Sequence, residues 1–170
     1  MQAIPTREAH IVLAAARLLL PVREIKGKNN YGRFVETIQR YGGGVPGQPW
    51  CAYFVYYVGH GMLGSEWPMV KTGSCDELLD WATKNSILYD RSDIGKGLEM
   101  KPGLLFLVMK EKNDATHVGF VEEILPDGRF TTIEGNSTDR GIRDGDGVVS
   151  NTRDPRGLTW YKFIDWESML

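Results

Sequence analysis

At Lys101-Pro102-Gly103 the texture of the chain changes, and that change decides which class of fold is open to it. Upstream, apolar residues recur at helical spacing. Downstream they come in short runs or alternate with polar residues, the period of a half-buried strand. A chain that is helical first and strand-rich afterwards does not build alternating βαβ units. It stacks helices on an antiparallel sheet, the α+β layout. With 170 residues and 42% hydrophobic content, the chain is long enough for one packed domain spanning residues 1–170.

The elements follow from local pattern. Residues 8–20 place Ile11, Ala14, Ala15, Leu18 and Leu19 on one face and stop at Pro21, which predicts an amphipathic helix. A second helix is expected over about 33–40, ending at Gly42-Gly43-Gly44. From 50 to 62 the chain is apolar nearly all round, so this helix is expected in the middle of the domain, with Cys51 at its start. Ser74-Cys75-Asp76-Glu77 has the composition of a capping box and opens a fourth helix to about residue 84. Strands are expected over 104–109, 117–125, 129–134, 147–151 and 159–164. Pro126-Asp127-Gly128 and Arg143-Asp144-Gly145-Asp146-Gly147 supply turns.

Charge and length exclude several functions. Twenty Lys and Arg against 22 Asp and Glu leave no broad basic surface for nucleic acid. The longest apolar run, 11–22, carries Arg17 and is shorter than the roughly 20 residues that cross a bilayer. Glu8 and His10 before that run do not suit a signal peptide, so synthesis in the cytoplasm without an export signal is expected. No Cys/His pair has zinc-site spacing, and Asp144-Gly145-Asp146-Gly147 lacks the ligand spacing and closing acid of a calcium loop. No metal and no cofactor are expected.

The chemistry that remains is that of a thiol. A helix N-terminus favours the thiolate, and both Cys51 and Cys75 open helices. Gly47-Gln48-Pro49-Trp50 brings a small-residue loop up to Cys51, whereas Cys75 has only a routine cap. Nucleophile and buried structural thiol are equally open for Cys51; a structural thiol is expected for Cys75. A base is needed. His60 lies nine residues along the same helix and points away, roughly 13 Å off. His10 sits in an ordinary amphipathic helix. His117 opens a strand, with Gly119 on the same face leaving room beside the ring. Period two puts Thr132, Glu134 and Asn136 on one face of the next strand, so Glu134 or Asn136 can orient the imidazole across the hairpin.

Pro49-Trp50-Cys51-Ala52-Tyr53-Phe54-Val55, Lys101-Pro102-Gly103, Thr116-His117-Val118-Gly119 and Ile133-Glu134-Gly135-Asn136 occur in the order found in the CHAP family. These are the cysteine, histidine-dependent amidohydrolases/peptidases of the papain-like (NlpC/P60) group, and the chain resembles them, phage-type lysins included, over about 20–155. The resemblance implies a papain-like fold with the nucleophile on a buried central helix. It implies that Cys51 attacks, His117 is the base, Glu134 orients His117 and Asn136 assists. Gln48 would help bind the oxyanion beside the Cys51 backbone N–H, although Pro49 and Trp50 separate it from the nucleophile. Trp50 and Tyr31 are candidate groove walls, with a core role for Trp50 equally open.

The substrate that the resemblance implies is peptidoglycan, cut at the stem peptide, a cross-bridge or the muramoyl–alanine amide. A monomeric lysin released to the wall through a holin is the first expectation. The same chemistry would suit a secreted interbacterial toxin covered by an immunity protein. A non-catalytic wall-binding or phage tail module is the reading from another class.

Overall fold

The computed structural model describes residues 4–138 and 145–170. Helices come first: α1 (Arg7–Leu18), α2 (Arg33–Tyr41), α3 (Cys51–Leu63) and α4 (Cys75–Lys84). The strands β1 (Leu88–Asp90), β2 (Leu105–Glu111), β3 (Asp114–Ile124), β4 (Phe130–Ser137), β5 (Gly147–Arg153) and β6 (Trp160–Ile164) follow. They form an antiparallel sheet in the order β1-β6-β2-β3-β4-β5. The α+β expectation holds. Helical periods upstream and strand periods downstream each bury an apolar face, and the two groups bury theirs against each other.

Leu105, Leu107, Val118, Phe120 and Ile133 face the helices, and Phe54 of α3 meets Phe120 with ring centroids 6.1 Å apart. The opposite face carries Phe106, Val121, Phe130, Tyr161 and Phe163 and is covered by the Leu98 segment. Nearly all of α3 is buried, as an apolar circumference requires. Gly59 lets it close on Trp67: a Cβ there would stand 2.2 Å from the indole.

Several expectations change in detail. Helix α1 buries Ala9, Val12, Leu13 and Ala16, not the Ile11-Ala14-Ala15-Leu18-Leu19 face; Leu18 is 81% exposed. The run is apolar enough for two registers, and the observed one turns Ala9 to Gly103, where the two come into van der Waals contact. The helix also ends at Leu18, before Pro21 can act on it. Ser74 does cap α4, accepting from Glu77 N–H at 3.3 Å, but the reciprocal half of the box is absent. The Glu77 carboxylate takes the Thr72 hydroxyl instead, and that hydroxyl accepts from Ser74 N–H. Strand β3 begins at Asp114, so His117 lies inside it rather than at its head. The three-residue β1, an edge pairing with β6, was too short to register as a pattern.

The turn at Pro126-Asp127-Gly128 forms as expected, with Gly128 at φ 85° and its N–H on Leu125 C=O. Of the second turn, Arg143 and Asp144 lie outside the described residues. No helix among the described residues is long and apolar enough to cross a membrane.

Candidate active site

The site forms where the start of α3 meets β3 and β4. The β3–β4 ladder pairs Ile124 with Phe130 and continues to Phe120 with Ile133, where it ends. Just beyond, Gly135 lies under α3: a Cβ there would be 2.6 Å from Phe54 Cβ and 2.9 Å from Trp50 Cζ3. Only a residue without a side chain admits the helix this close. Cys51 is thereby held as the first residue of α3, where its backbone N–H has no partner within the helix.

His117 and Glu134 come together from the adjacent strands. His117 Nε2–H donates to Glu134 Oε2 at 2.8 Å, both residues being almost completely buried. Gly119 makes this reach feasible, because a Cβ there would stand 3.0 Å from Glu134 Cγ and 2.8 Å from Phe106 Cε1. With Nε2 committed, Nδ1 is the buried nitrogen without another hydrogen-bond partner, and it is the one left for the thiol.

Glu134 is saturated. Oε1 accepts from the Thr132 hydroxyl and Arg153 Nε, while Oε2 accepts from His117, the Ser137 hydroxyl at 3.0 Å and Arg153 Nη2. Donors on both oxygens are what a buried carboxylate requires. Burial by itself would raise its pKa; the His117 and Arg153 hydrogen bonds and charges overcome this and hold it well below the usual carboxylate range.

The thiol and the imidazole shift each other. Cys51 is lowered well below 9.0, first by a hydrogen bond from Cys75, which outweighs burial, then by the hydrogen bond and charge of His117 and by Val118 N–H. His117 is raised from 6.5 to about 9: burial opposes this, and the Cys51 and Glu134 interactions more than reverse it. Near neutral pH the site therefore holds a thiolate and an imidazolium.

Cys51 and Cys75 both line a cleft of about 640 Å³, together with Gln48, Tyr53, Lys71 and Asp114. The Gln48 carboxamide oxygen is fixed by Val45 N–H at 3.0 Å and the Tyr53 hydroxyl at 2.9 Å, so its NH₂ faces the other way. Tyr53 in turn is held among Gly42, Gly44 and Gly73, at each of which a Cβ would collide with its ring or hydroxyl. Gln48 thus lines the same cleft as the thiol with its carboxamide oxygen anchored.

The remaining candidates take these places. Trp50 is fully buried and donates through Nε1 to Glu24 at 2.8 Å, so it belongs to the core and not to the groove wall. Asn136 sits behind the nucleophile: in the orientation its neighbours require, its oxygen accepts from Trp50 N–H and its NH₂ donates to Gly145 C=O. Its φ of 55° leaves the period-two alternation, which is why Glu134 and not Asn136 reaches the ring. His60 pairs with the Tyr41 hydroxyl at 2.7 Å, remote from Cys51, and His10 is exposed.

Cys75 is no routine capping thiol: its sulfur lies 3.6 Å from that of Cys51, both as thiols and not as a disulfide. Its position depends on how α4 docks, which no local pattern reveals. Arg153 had a readable signal, an inward position at the end of β5, following outward Ser150 and Thr152 in strict alternation and one strand from an inward acid. Among the described residues no group of three or more His, Cys, Asp or Glu could hold a metal ion.

A thiol at a helix start, an imidazole on the facing strand and a carboxylate behind it, on an α+β frame, define a papain-like thiol hydrolase. The family model described as CHAP domain matches residues 41–136, more than half of the chain, and the chain belongs to that family. Membership makes it a cysteine- and histidine-dependent amidohydrolase of the peptidoglycan-directed kind. Comparison with curated proteins and with solved structures gives no match.

Proposed function

We infer that this protein hydrolyses an amide bond of bacterial peptidoglycan, in the stem peptide, in a cross-bridge or at the muramoyl–alanine junction. The observation that carries this reading is the buried His117–Glu134 pair, 2.8 Å apart, set beside a thiol that opens a cleft large enough for a peptide.

In the mechanism, Cys51 sulfur adds to the carbonyl carbon, and the oxyanion is received by the Cys51 backbone N–H and the Gln48 NH₂. His117 gives its Nδ1 proton to the leaving amine as the C–N bond breaks, leaving an acyl-thioester and a neutral imidazole. The ring then takes a proton from water as the hydroxide oxygen attacks the thioester, and collapse returns the thiolate and imidazolium. Glu134 keeps Nε2 protonated, so that Nδ1 is always the exchanging nitrogen. Asn136 supports the turn into α3 through Trp50 N–H, holding the Cys51 N–H on the carbonyl side.

The test is release of new amino groups from purified peptidoglycan. Cys51→Ala abolishes it, and His117→Ala lowers it about 10²- to 10⁴-fold. A Cys51→Ala protein that digests as the parent does would sink the reading. Mass spectrometry of the fragments identifies the bond that is cut.

A further inference from the structure

Arg153 lies at the end of β5, and its guanidinium grips both oxygens of Glu134. Nε donates to Oε1 at 2.7 Å and Nη2 to Oε2 at 2.6 Å, while Nη1 reaches the Tyr161 hydroxyl at 3.4 Å. The guanidinium carbon stands 4.9 Å from the Phe106 ring centroid, and the same ring flanks His117. Arg153 is 8% exposed and Glu134 not at all. A carboxylate this far from water needs a standing opposite charge or it takes up a proton. His117 is not a standing charge. Its ring is an imidazolium before acylation and neutral between amine release and attack by water. A guanidinium does not titrate in this range, and its planar fork matches a carboxylate edge on.

We propose that Arg153 is a positioning residue of this active site, fixing the plane of the Glu134 carboxylate against His117 Nε2 and keeping it ionised while the imidazole is neutral. This rests on the thiol-hydrolase reading and adds Arg153 to its machinery. Among the described residues, the groups facing Glu134 are His117 from β3, Arg153 from β5 and the Thr132 and Ser137 hydroxyls of its own strand. Tyr161 on β6 faces Arg153, and the thiols of Cys51 and Cys75 lie beyond His117. Without the fork, Glu134 takes up a proton whenever His117 is neutral. A protonated carboxyl no longer fixes the Nε2–H tautomer, and Nδ1 loses its aim at the sulfur.

The experiment compares the parent with Arg153→Met and Arg153→Lys in the full chain. Two quantities are read: the rate of amine release from peptidoglycan, and the pH dependence of Cys51 alkylation by iodoacetamide, located by peptide mass spectrometry. Arg153→Met is expected to slow amine release at least about tenfold and to move the acid limb of alkylation up by roughly one pH unit. Arg153→Lys keeps a charge but loses the fork, so its limb stays nearer the parent's while amine release still falls severalfold.

A folded Arg153→Met protein with the parent's rate and limb overturns the proposal. Should that variant fail to fold, an unaltered rate in folded Arg153→Lys overturns it equally. A parent whose Cys51 alkylates like an ordinary thiol overturns the thiol-hydrolase reading and this proposal with it. A parent with an acid limb that neither variant changes overturns the role of Arg153 alone.

Discussion

The sulfur of Cys75 lies 3.6 Å from that of Cys51, close enough for the second thiol to donate a hydrogen bond to the first when Cys51 is ionised. A hydrogen bond to a charged acceptor is worth about 1.5–3 kcal/mol, so its loss is visible in reactivity. Cys75→Ala is expected to move the acid limb of Cys51 alkylation up by about one to two pH units. Cys75→Ser keeps a donor and is expected to stay close to the parent. Equal behaviour of the Ala and Ser variants would show that the contact does not stabilise the thiolate. Second-order alkylation rates between pH 5 and 8 make the comparison.

Stability should follow pH in a way that separates the pair from Glu134. Taken singly, the raised His117 stabilises fully below 6.5 and loses its contribution as pH rises to about 9. The lowered Cys51 stabilises fully above 9.0 and loses its contribution as pH falls. Between these values the folded and unfolded chains each hold one proton across the pair, on nitrogen when folded and on sulfur when unfolded. The two slopes cancel there. Below 6.5 the unfolded chain binds a second proton that the folded pair refuses, and below 4.5 the lowered Glu134 adds the same sign. Calorimetric melting should therefore show a plateau from about 6.5 to about 9 and a fall below it that steepens under 4.5. A Tm that rises on acidification would contradict the ion pair.

Gly119→Ala tests the route by which Glu134 reaches the ring. The added methyl meets Glu134 Cγ, Phe106 Cε1 and the Ile133 carbonyl at 3.0 Å or less. Overpacking of this kind costs about 1–3 kcal/mol, within what a folded domain tolerates. Activity should fall further than stability, since displacing the carboxylate releases the imidazole. Amine release and Tm measured on one preparation decide it, and full activity at a lowered Tm would rule out a positional role for Gly119.

Gln48→Ala tests the side-chain donor proposed for the oxyanion. The expected loss is about 10²- to 10³-fold in kcat with KM little changed, because the oxyanion exists only in the transition state. Tyr53→Phe leaves Gln48 in place but frees its carboxamide from one of two anchors, so a smaller loss of the same kind is expected. A change in KM alone would assign Gln48 to substrate binding.

Much of this was legible because it is local. The apolar circumference of 50–62 leaves no option but burial, and Pro126-Asp127-Gly128 can only turn, so His117 and Glu134 had to fall on neighbouring strands. A one-residue slip would have pointed Glu134 to the other face, and the alternation through Thr132 was sufficient to choose. The α1 face was misassigned because an alanine- and leucine-rich run has more than one apolar stripe. Only its packing against the rest of the core, α3 and Gly103 included, selects between them.

Sequence alone thus determined the order of elements, the thiol at the head of a buried helix and the strand pair behind it, because helix ends, turns and strand periods act over a few residues. Tertiary structure decided which groups surround the charges. It put Cys75 beside Cys51, Arg153 on both oxygens of Glu134, Tyr53 behind Gln48 and Trp50 in the core. Each of these contacts joins segments separated in the chain, and in a buried site an ionised group is stable only where such distant partners converge.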